Sequence, residues 1–358
     1  MEIGSEFWID DEINFQKKTK MPYWLSKFGN ITLTTSGRGA LSLLLSQIKP
    51  TVKKALLPSF ICSSVILPFE IYGYEIDYYD LDEYFKPVNI DSIIDSNVGL
   101  FLHMGYFGFT CNDALYDAIS LLKSKSVIVV EDATHTLFSK HLKKIDNDFV
   151  IGSIRKWFGI PSGGFLASRD NLKFEPLNCT SEFINIRYQG LLQKFDYIIS
   201  NNESIKADYL AAFAKAELIL DNDIKPCKID NISKTIIKNV DDTKIKFSRR
   251  ENYYYLSRYL SGVKNIKIIY PDIENNITPM FFPIYVVGKR DELRNHLISN
   301  KIYCPIHWPV SPKINKKISE ITNGIYESIL SIPCDQRYNI EEMDIIVCCI
   351  RDFFKNRM

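Results

Sequence analysis

The stretch Ser153-Ile154-Arg155-Lys156-Trp157-Phe158-Gly159-Ile160-Pro161-Ser162-Gly163-Gly164 decides how the chain is read. It holds a lysine between apolar and aromatic neighbours, three residues after a serine and shortly before a Pro-Ser-Gly-Gly turn. An ammonium group in such company forgoes much of its hydration, which singles Lys156 out as a reactive amine. A lysine at the edge of a surface loop is the plain alternative, and the flanking chain decides between the two.

Upstream, brief apolar runs alternate with helical patterns. Ala55-Leu56-Leu57-Pro58, Glu75 to Tyr79, Val98 to His103 and Val127 to Val130 read as strands, with a helix from about 62 to 73 between the first two. That alternation predicts a parallel α/β sheet with helices on both faces. Ligands of such sheets sit beyond the carboxyl ends of the strands, where both His103 and Asp132 fall. Farther upstream, Ser36-Gly37-Arg38-Gly39-Ala40 precedes Leu41, Leu44, Leu45 and Ile48 at helical spacing. A Ser-Gly turn opening an amphipathic helix makes its first amides an anion site by geometry and dipole. The same turn opens many helices that bind nothing, so it gains weight only from its company. No G-K-[ST] follows it and no G-x-G-x-x-G occurs, which excludes a Walker loop and a dinucleotide fingerprint.

Downstream, residues from about 180 to 240 turn helical, most strongly from Ala207 to Leu220. A helix from about Lys244 to Leu260, strands at Ile266–Tyr270 and Met280–Val287, and a helix near Asp291–Asn300 follow. The extended Tyr303–Trp308 and a last helix from Ile340 to Phe354, capped by Asn339, close the chain. Phe7-Trp8 and Met21-Pro22-Tyr23-Trp24 are expected packing anchors of an N-terminal arm.

With 44 basic and 43 acidic side chains among 358 residues, the chain carries no electrostatic footprint for nucleic acid or an anionic membrane. No apolar run approaches the roughly 20 residues that span a bilayer. The acidic start lacks a signal peptide's basic head and apolar middle, so the cytoplasm is the expected location. The eight cysteines form no C-x-x-C pair and have no histidine at metal spacing, so no metal site is expected. In a reducing cytosol they are expected to be small buried hydrophobes.

The order of these signals is distinctive: Ser-Gly-helix, strand-Pro, strand-Asp-x-x-His 24 residues before a lysine, Lys-x(6)-Gly-Gly, a late Leu-Ser-Ile-Pro-Cys and a final helix. From Thr35 to Phe354 it resembles the DegT/DnrJ/EryC1/StrS family of sugar aminotransferases, fold-type I pyridoxal-phosphate enzymes. The resemblance implies an aspartate aminotransferase-like α/β fold. Residues 1–240 would form a large cofactor-binding domain with a mostly parallel seven-stranded sheet, and residues 241–358 a smaller α+β domain.

Residue by residue, Lys156 matches the lysine that forms the Schiff base with pyridoxal 5'-phosphate, because Gly163-Gly164 stand where the family's Gly-Gly follows it. Asp132 matches the aspartate on the pyridinium nitrogen, where a carboxylate keeps the ring protonated as an electron sink. His135 stands where the family has Gln or His near the ring's phenolic oxygen. Ser36, Gly37 and Arg38 match the Ser-Gly-Thr phosphate loop, and Ser153 is a further phosphate ligand, three residues before the lysine as in aspartate aminotransferase-like enzymes. His307 and Trp308 align with a segment near the substrate mouth, although a packed core pair fits them equally well.

The departures are as informative. In Pro58-Ser59-Phe60-Ile61-Cys62 a cysteine takes the place of the aromatic residue that stacks on the cofactor, which leaves Phe60, His103 or Phe107 for that role. Arg38 replaces a threonine and offers charge to the phosphate. The segment that supplies contacts from the neighbouring subunit is blurred to Ile184-Asn185-Ile186-Arg187.

The family implies a homodimer that moves an amino group from glutamate to a nucleotide-linked keto sugar through pyridoxamine phosphate, in polysaccharide or antibiotic-sugar assembly. The alternatives are the same chemistry on a small phosphorylated ketone and a catalytically idle binding or regulatory homologue. A sugar 3-dehydratase, which has histidine in place of the lysine, is disfavoured by Lys156 itself.

Overall fold

A computed structural model of the chain describes residues 2–9, 18–110, 112–143, 145–169, 172–179, 182–312, 314 and 318–355. Cys111 and residues 10–17 of the expected N-terminal arm lie outside the described residues. In chain order the elements are β1 (Ile3–Gly4), α1 (Tyr23–Ser26), β2 (Asn30–Thr34), α2 (Gly37–Gln47), β3 (Lys54–Pro58), α3 (Ser63–Ile71), β4 (Glu75–Tyr79), α4 (Ile90–Ile94), β5 (Leu100–Met104), α5 (Tyr116–Ser124), β6 (Ile128–Asp132), β7 (Phe149–Ser153) and β8 (Gly164–Ser168). The helices α6 (Glu182–Ser200), α7 (Glu203–Asn222), α8 (Asn231–Asn239) and α9 (Asp242–Leu260) follow. The chain ends in β9 (Ile266–Ile268), β10 (Phe282–Val286), α10 (Arg290–Ser299), β11 (Ile302–Tyr303), α11 (Glu320–Ser328), β12 (Ile329–Ile332) and α12 (Ile340–Lys355).

Seven strands form one sheet in the order β2-β8-β7-β6-β5-β3-β4. The pairs from β7 through β6, β5 and β3 to β4 are parallel, and the β7–β8 and β8–β2 pairs are antiparallel. Consecutive side chains of a strand point to opposite faces, and here each face is apolar. Leu57, Leu100, Leu102 and Val130 pack with Leu41 and Leu44 of α2 and Phe69 of α3. Leu56, Phe101 and Val129 pack on the other face with Ile119 and Leu122 of α5. Helices α6 to α8 supply Leu191, Tyr209 and Ile237, which close over Val150 and Phe165. Burying one such side chain contributes about 1.5–3 kcal/mol. The four expected parallel strands are present to within two residues. The reading missed β7 and β8, which flank the stretch that holds Lys156.

A three-stranded antiparallel sheet, β12-β10-β9, follows in the C-terminal part, with α9 and α12 packed together beside it. The N-terminus is tied to this part, since β1 pairs in parallel with β11. Asn339 caps α12 as expected: its Oδ1 accepts the Glu341 N–H at 2.7 Å, and its own N–H donates to Glu342 at 2.8 Å. Trp24 is buried against Phe138, whereas Tyr23 is 73% exposed.

The expectation for the cysteines needs correction. Cys179 and Cys227 form a disulfide across 48 residues, and Cys348 is exposed. Neither spacing nor burial in the sequence distinguished that pair from the rest.

The edge strand β2 is held by a close approach. A Cβ on Gly164 would fall 2.0 Å from the carbonyl oxygen of Ser36, so only glycine lets β8 run beneath the Ser36 turn. Gly164→Ala therefore forces backbone apart, and we expect a loss of stability of about 3 kcal/mol. Chemical denaturation measures it, and an unchanged midpoint would mean that the contact is absent.

Candidate active site

The carboxyl ends of β5, β6 and β7 and the start of α2 surround one cavity. Ser36, Gly37, Arg38, Cys62, Met104, Asp132, Thr134, His135, Ser153, Lys156 and Trp308 line it.

Asp132 ends β6 and is 5% exposed. It accepts the Thr134 N–H at 2.8 Å. Burial raises its pKa above the usual carboxylate value, and the Thr134 donors and Lys156 only partly offset this. No cationic side chain bonds to it among the described residues, so the carboxylate is built for a partner that carries an N–H. Thr134, which the sequence reading passed over, ties the site together. Its Oγ accepts the Ser153 N–H at 3.0 Å, and its carbonyl accepts the Trp157 indole N–H at 2.7 Å. The signal was its place in Asp132-Ala133-Thr134-His135, between two residues already singled out.

His135 is fully buried, and its Nδ1 accepts the Phe107 N–H at 3.2 Å. Burial, then the charges of His307 and Lys156, hold its pKa well below the ordinary histidine value. The ring is thus neutral with its proton on Nε2. That Nε2 has no partner among the described residues. A buried donor left unpaired costs about 1–3 kcal/mol, which marks the position of a ligand acceptor.

Lys156 ends a single 3-10 turn, Ile154–Lys156, directly after β7. It is half-buried, and it lines both this cavity and a second one beside it. Ser36 caps α2, its Oγ accepting the Gly39 N–H at 3.0 Å. The amides of Gly37 and Arg38 at the same helix end find no acceptor among the described residues, which is the arrangement that receives an anion. A Cβ on Gly37 would come within 3.2 Å of the Ser153 Cβ, so the glycine seats this helix end against β7.

Three expectations change. The Arg38 guanidinium is spent on the Leu220 carbonyl and on Asp221, the latter at 2.8 Å, rather than offered to a phosphate. Phe60 does not line the cavity; it lies in an aromatic cluster behind it, 5.2 Å from the Trp308 ring. His103 lies on the opposite face of the sheet, hydrogen-bonded to Asn147 at 2.7 Å. Phe107 serves through its amide. The aromatic rings on the cavity wall belong to His135 and Trp308, 5.3 Å apart. His307 lines the second cavity, with Nδ1 2.8 Å from the Ser331 hydroxyl, and burial and Lys156 lower its pKa to about 3.

This donor set fits pyridoxal phosphate: an amine, a buried carboxylate with no cationic side chain bonded to it among the described residues, a neutral histidine offering Nε2–H, and an unfilled helix start. Among the described residues, no group of three or more His, Cys, Asp or Glu side chains could hold a metal ion.

No protein-family model matches the sequence, and no curated protein matches it. Solved structures do. Helicobacter pylori PseC, an aminotransferase involved in the biosynthesis of pseudoaminic acid, is 13% identical with a TM-score of 0.69, over 99% of this chain and 100% of its own. A DegT DnrJ EryC1 StrS aminotransferase from Brucella abortus is 14% identical at 0.65, over 97% and 91%. The sugar-aminotransferase-like Spr1654 of Streptococcus pneumoniae, in its PLP form, is 13% identical at 0.68, over the whole of both chains. The fold is therefore that of this group of sugar aminotransferases.

The raised Asp132 pKa gives a prediction with a definite sign. The native state holds its proton more tightly than the unfolded chain does, so the group costs stability as pH rises through that interval. In cofactor-free protein, Asp132→Asn should raise Tm at about pH 7, with the gain fading as pH falls through the raised native value and absent below the unfolded aspartate pKa of about 3.9. A lower Tm for the variant at neutral pH would contradict the desolvated carboxylate.

Proposed function

We propose that the protein is a pyridoxal-phosphate-dependent aminotransferase that moves an amino group from an amino acid, glutamate in our reading, to a nucleotide-linked keto sugar. The observation that carries this is the convergence of Lys156, Asp132, His135 Nε2–H and the open start of α2 on one cavity. The shared fold supports it.

Bound pyridoxal phosphate supplies an electron sink for a substrate carbanion. In this reading Lys156 Nζ would hold the cofactor, would be freed when the donor's amino group takes its place, and would then accept the proton from the donor's Cα. Asp132 keeps the ring nitrogen protonated, and its burial makes that charge pair strong. His135 donates Nε2–H to the ring's phenolic oxygen. Gly37 and Arg38 donate their amides to the phosphate, with the hydroxyls of Ser36 and Ser153 beside them. Cys62 and Trp308 wall the ring, and His307 faces the substrate side.

We further propose a homodimer, a large domain of residues 1–240 with a small one of 241–358, and a cytoplasmic location. Exposed apolar side chains such as Ile199 and Leu218 on α6 and α7 fit a subunit contact. Among the described residues no helix is long and apolar enough to cross a membrane.

Lys156→Ala should lose both the borohydride-reducible adduct with the cofactor and transamination, the latter by at least about 100-fold. An adduct that persists would place the anchor elsewhere. Added glutamate should shift the visible absorbance of the loaded wild-type protein; no shift with any amino donor would favour the idle homologue.

A further inference from the structure

The cavity that shares Lys156 with the proposed cofactor site has a volume of about 460 Å³ and an excess of positive charge. Its three carboxylates are all matched. Glu217 accepts from Arg155 at 2.7 and 3.1 Å and lies 3.5 Å from Arg187; Glu6 pairs with Arg187 at 2.7 Å; Asp335 pairs with Arg337 at 2.7 Å. Besides Lys156, that leaves Arg249 and Arg294 without a carboxylate among the described residues. Arg249 spends its donors within the protein, on Gln336 and on the carbonyls of Pro279, Met280 and Trp157. Arg294 does not. A guanidinium has five N–H donors in a planar fork, and Arg294 uses only Nε, on the Cys304 carbonyl at 3.2 Å. Its two terminal nitrogens have no partner among the described residues. The side chain comes from α10, is half-buried, and lines the cavity wall beside Tyr303 and Cys304.

We propose that Arg294 is a substrate-binding residue that takes an oxyanion of the substrate, carboxylate or phosphate, in a bidentate grip within this second cavity. The proposal rests on the reading of the neighbouring site as the centre of an aminotransferase, which makes this cavity the substrate's. The free fork suits either oxyanion, because both present two oxygens at matching separation. A carboxylate would belong to the amino donor and a phosphate to a nucleotide-linked acceptor.

The test uses cofactor-loaded protein and two probes that cannot react: glutarate, a dicarboxylate without an amino group, and UDP, a nucleoside diphosphate without the keto sugar that would accept one. Isothermal titration of Arg294→Gln should show one of them binding about ten- to a hundredfold more weakly than to wild type. Loss for glutarate assigns Arg294 to the donor, and loss for UDP assigns it to the acceptor. Arg294→Lys, which keeps the charge and loses the fork, should fall between the two and guards against a folding defect in the glutamine variant. Lys289→Gln, a charge removed from the start of the same helix outside the cavity, should bind as wild type does. Unchanged binding of both probes to Arg294→Gln, no binding of either to wild type, or an equal loss with Lys289→Gln would each overturn the proposal. Failure of the functional reading looks different: wild-type protein would take up no cofactor, while the same titrations on the cofactor-free protein still report on Arg294.

Discussion

The Ser36 carbonyl oxygen occupies the space where a side chain at Gly164 would begin, and the site depends on that contact. Strand β8 lies antiparallel between β2 and β7, and a single row of residues across the three strands runs Thr34, Gly164, Ser153. The row brings the Ser36 turn and the end of β7 to one level. Three residues beyond Thr34 the chain enters α2, and three beyond Ser153 it reaches Lys156. The anion-receiving helix start and the amine are therefore held on the same scaffold, with no flexible segment between them. The glycine pair after the lysine is best understood through this packing: Gly163 donates its N–H to the Thr35 carbonyl at 2.8 Å, and Gly164 admits the turn itself.

The period of a β-strand explains which site residues could be read from the sequence and which could not. Strand ends were visible as the ends of apolar runs, so Asp132 was placed correctly. His103 was assigned by the same argument and failed by one residue. In the parallel register His103 pairs with Glu131 and Met104 with Asp132. Neighbours in a strand face opposite ways, so Met104 and Asp132 reach the cavity. His103 and Glu131 instead share a buried network with Asn147 and His141 on the other face. There, against the cost of burial, His141 and the cationic side chains nearby hold the Glu131 carboxyl well below the usual range. Phe60 failed for a different reason. It sits close to the site in sequence, but its ring packs among Phe85, Tyr106, Trp308 and Tyr326, the last two more than 240 residues away along the chain. Contacts of that range leave no local signal.

The same limit hid Thr134, whose role is to receive the Ser153 amide and the Trp157 indole, and the ion pairs of the second cavity, which join the first residues of the chain to α6 and α7. Glu6 meets Arg187 181 residues away, and Arg337 bonds the carbonyl of Glu6 across 331. The N-terminal residues are thus part of a cavity wall, although their composition suggested only an arm with packing anchors.

The two cavities that meet at Lys156 differ in charge, and that difference gives the amine its direction of work. On one side Arg38 and Arg155 are paired with Asp221 and Glu217, while the desolvated Asp132 carboxylate has no cationic side chain bonded to it among the described residues and the neutral His135 has an unmatched N–H. On the other side six cations, counting Lys156, face three carboxylates, and the surplus sits in side chains rather than in solvent. Charge buried in this way is unfavourable until a complementary ligand arrives. In the proposed reading, a cationic ring would lie on the Asp132 side and an anionic substrate on the side of Arg294. Lys156 stands on the one wall that both would share, so a group passed from one to the other must pass its amine.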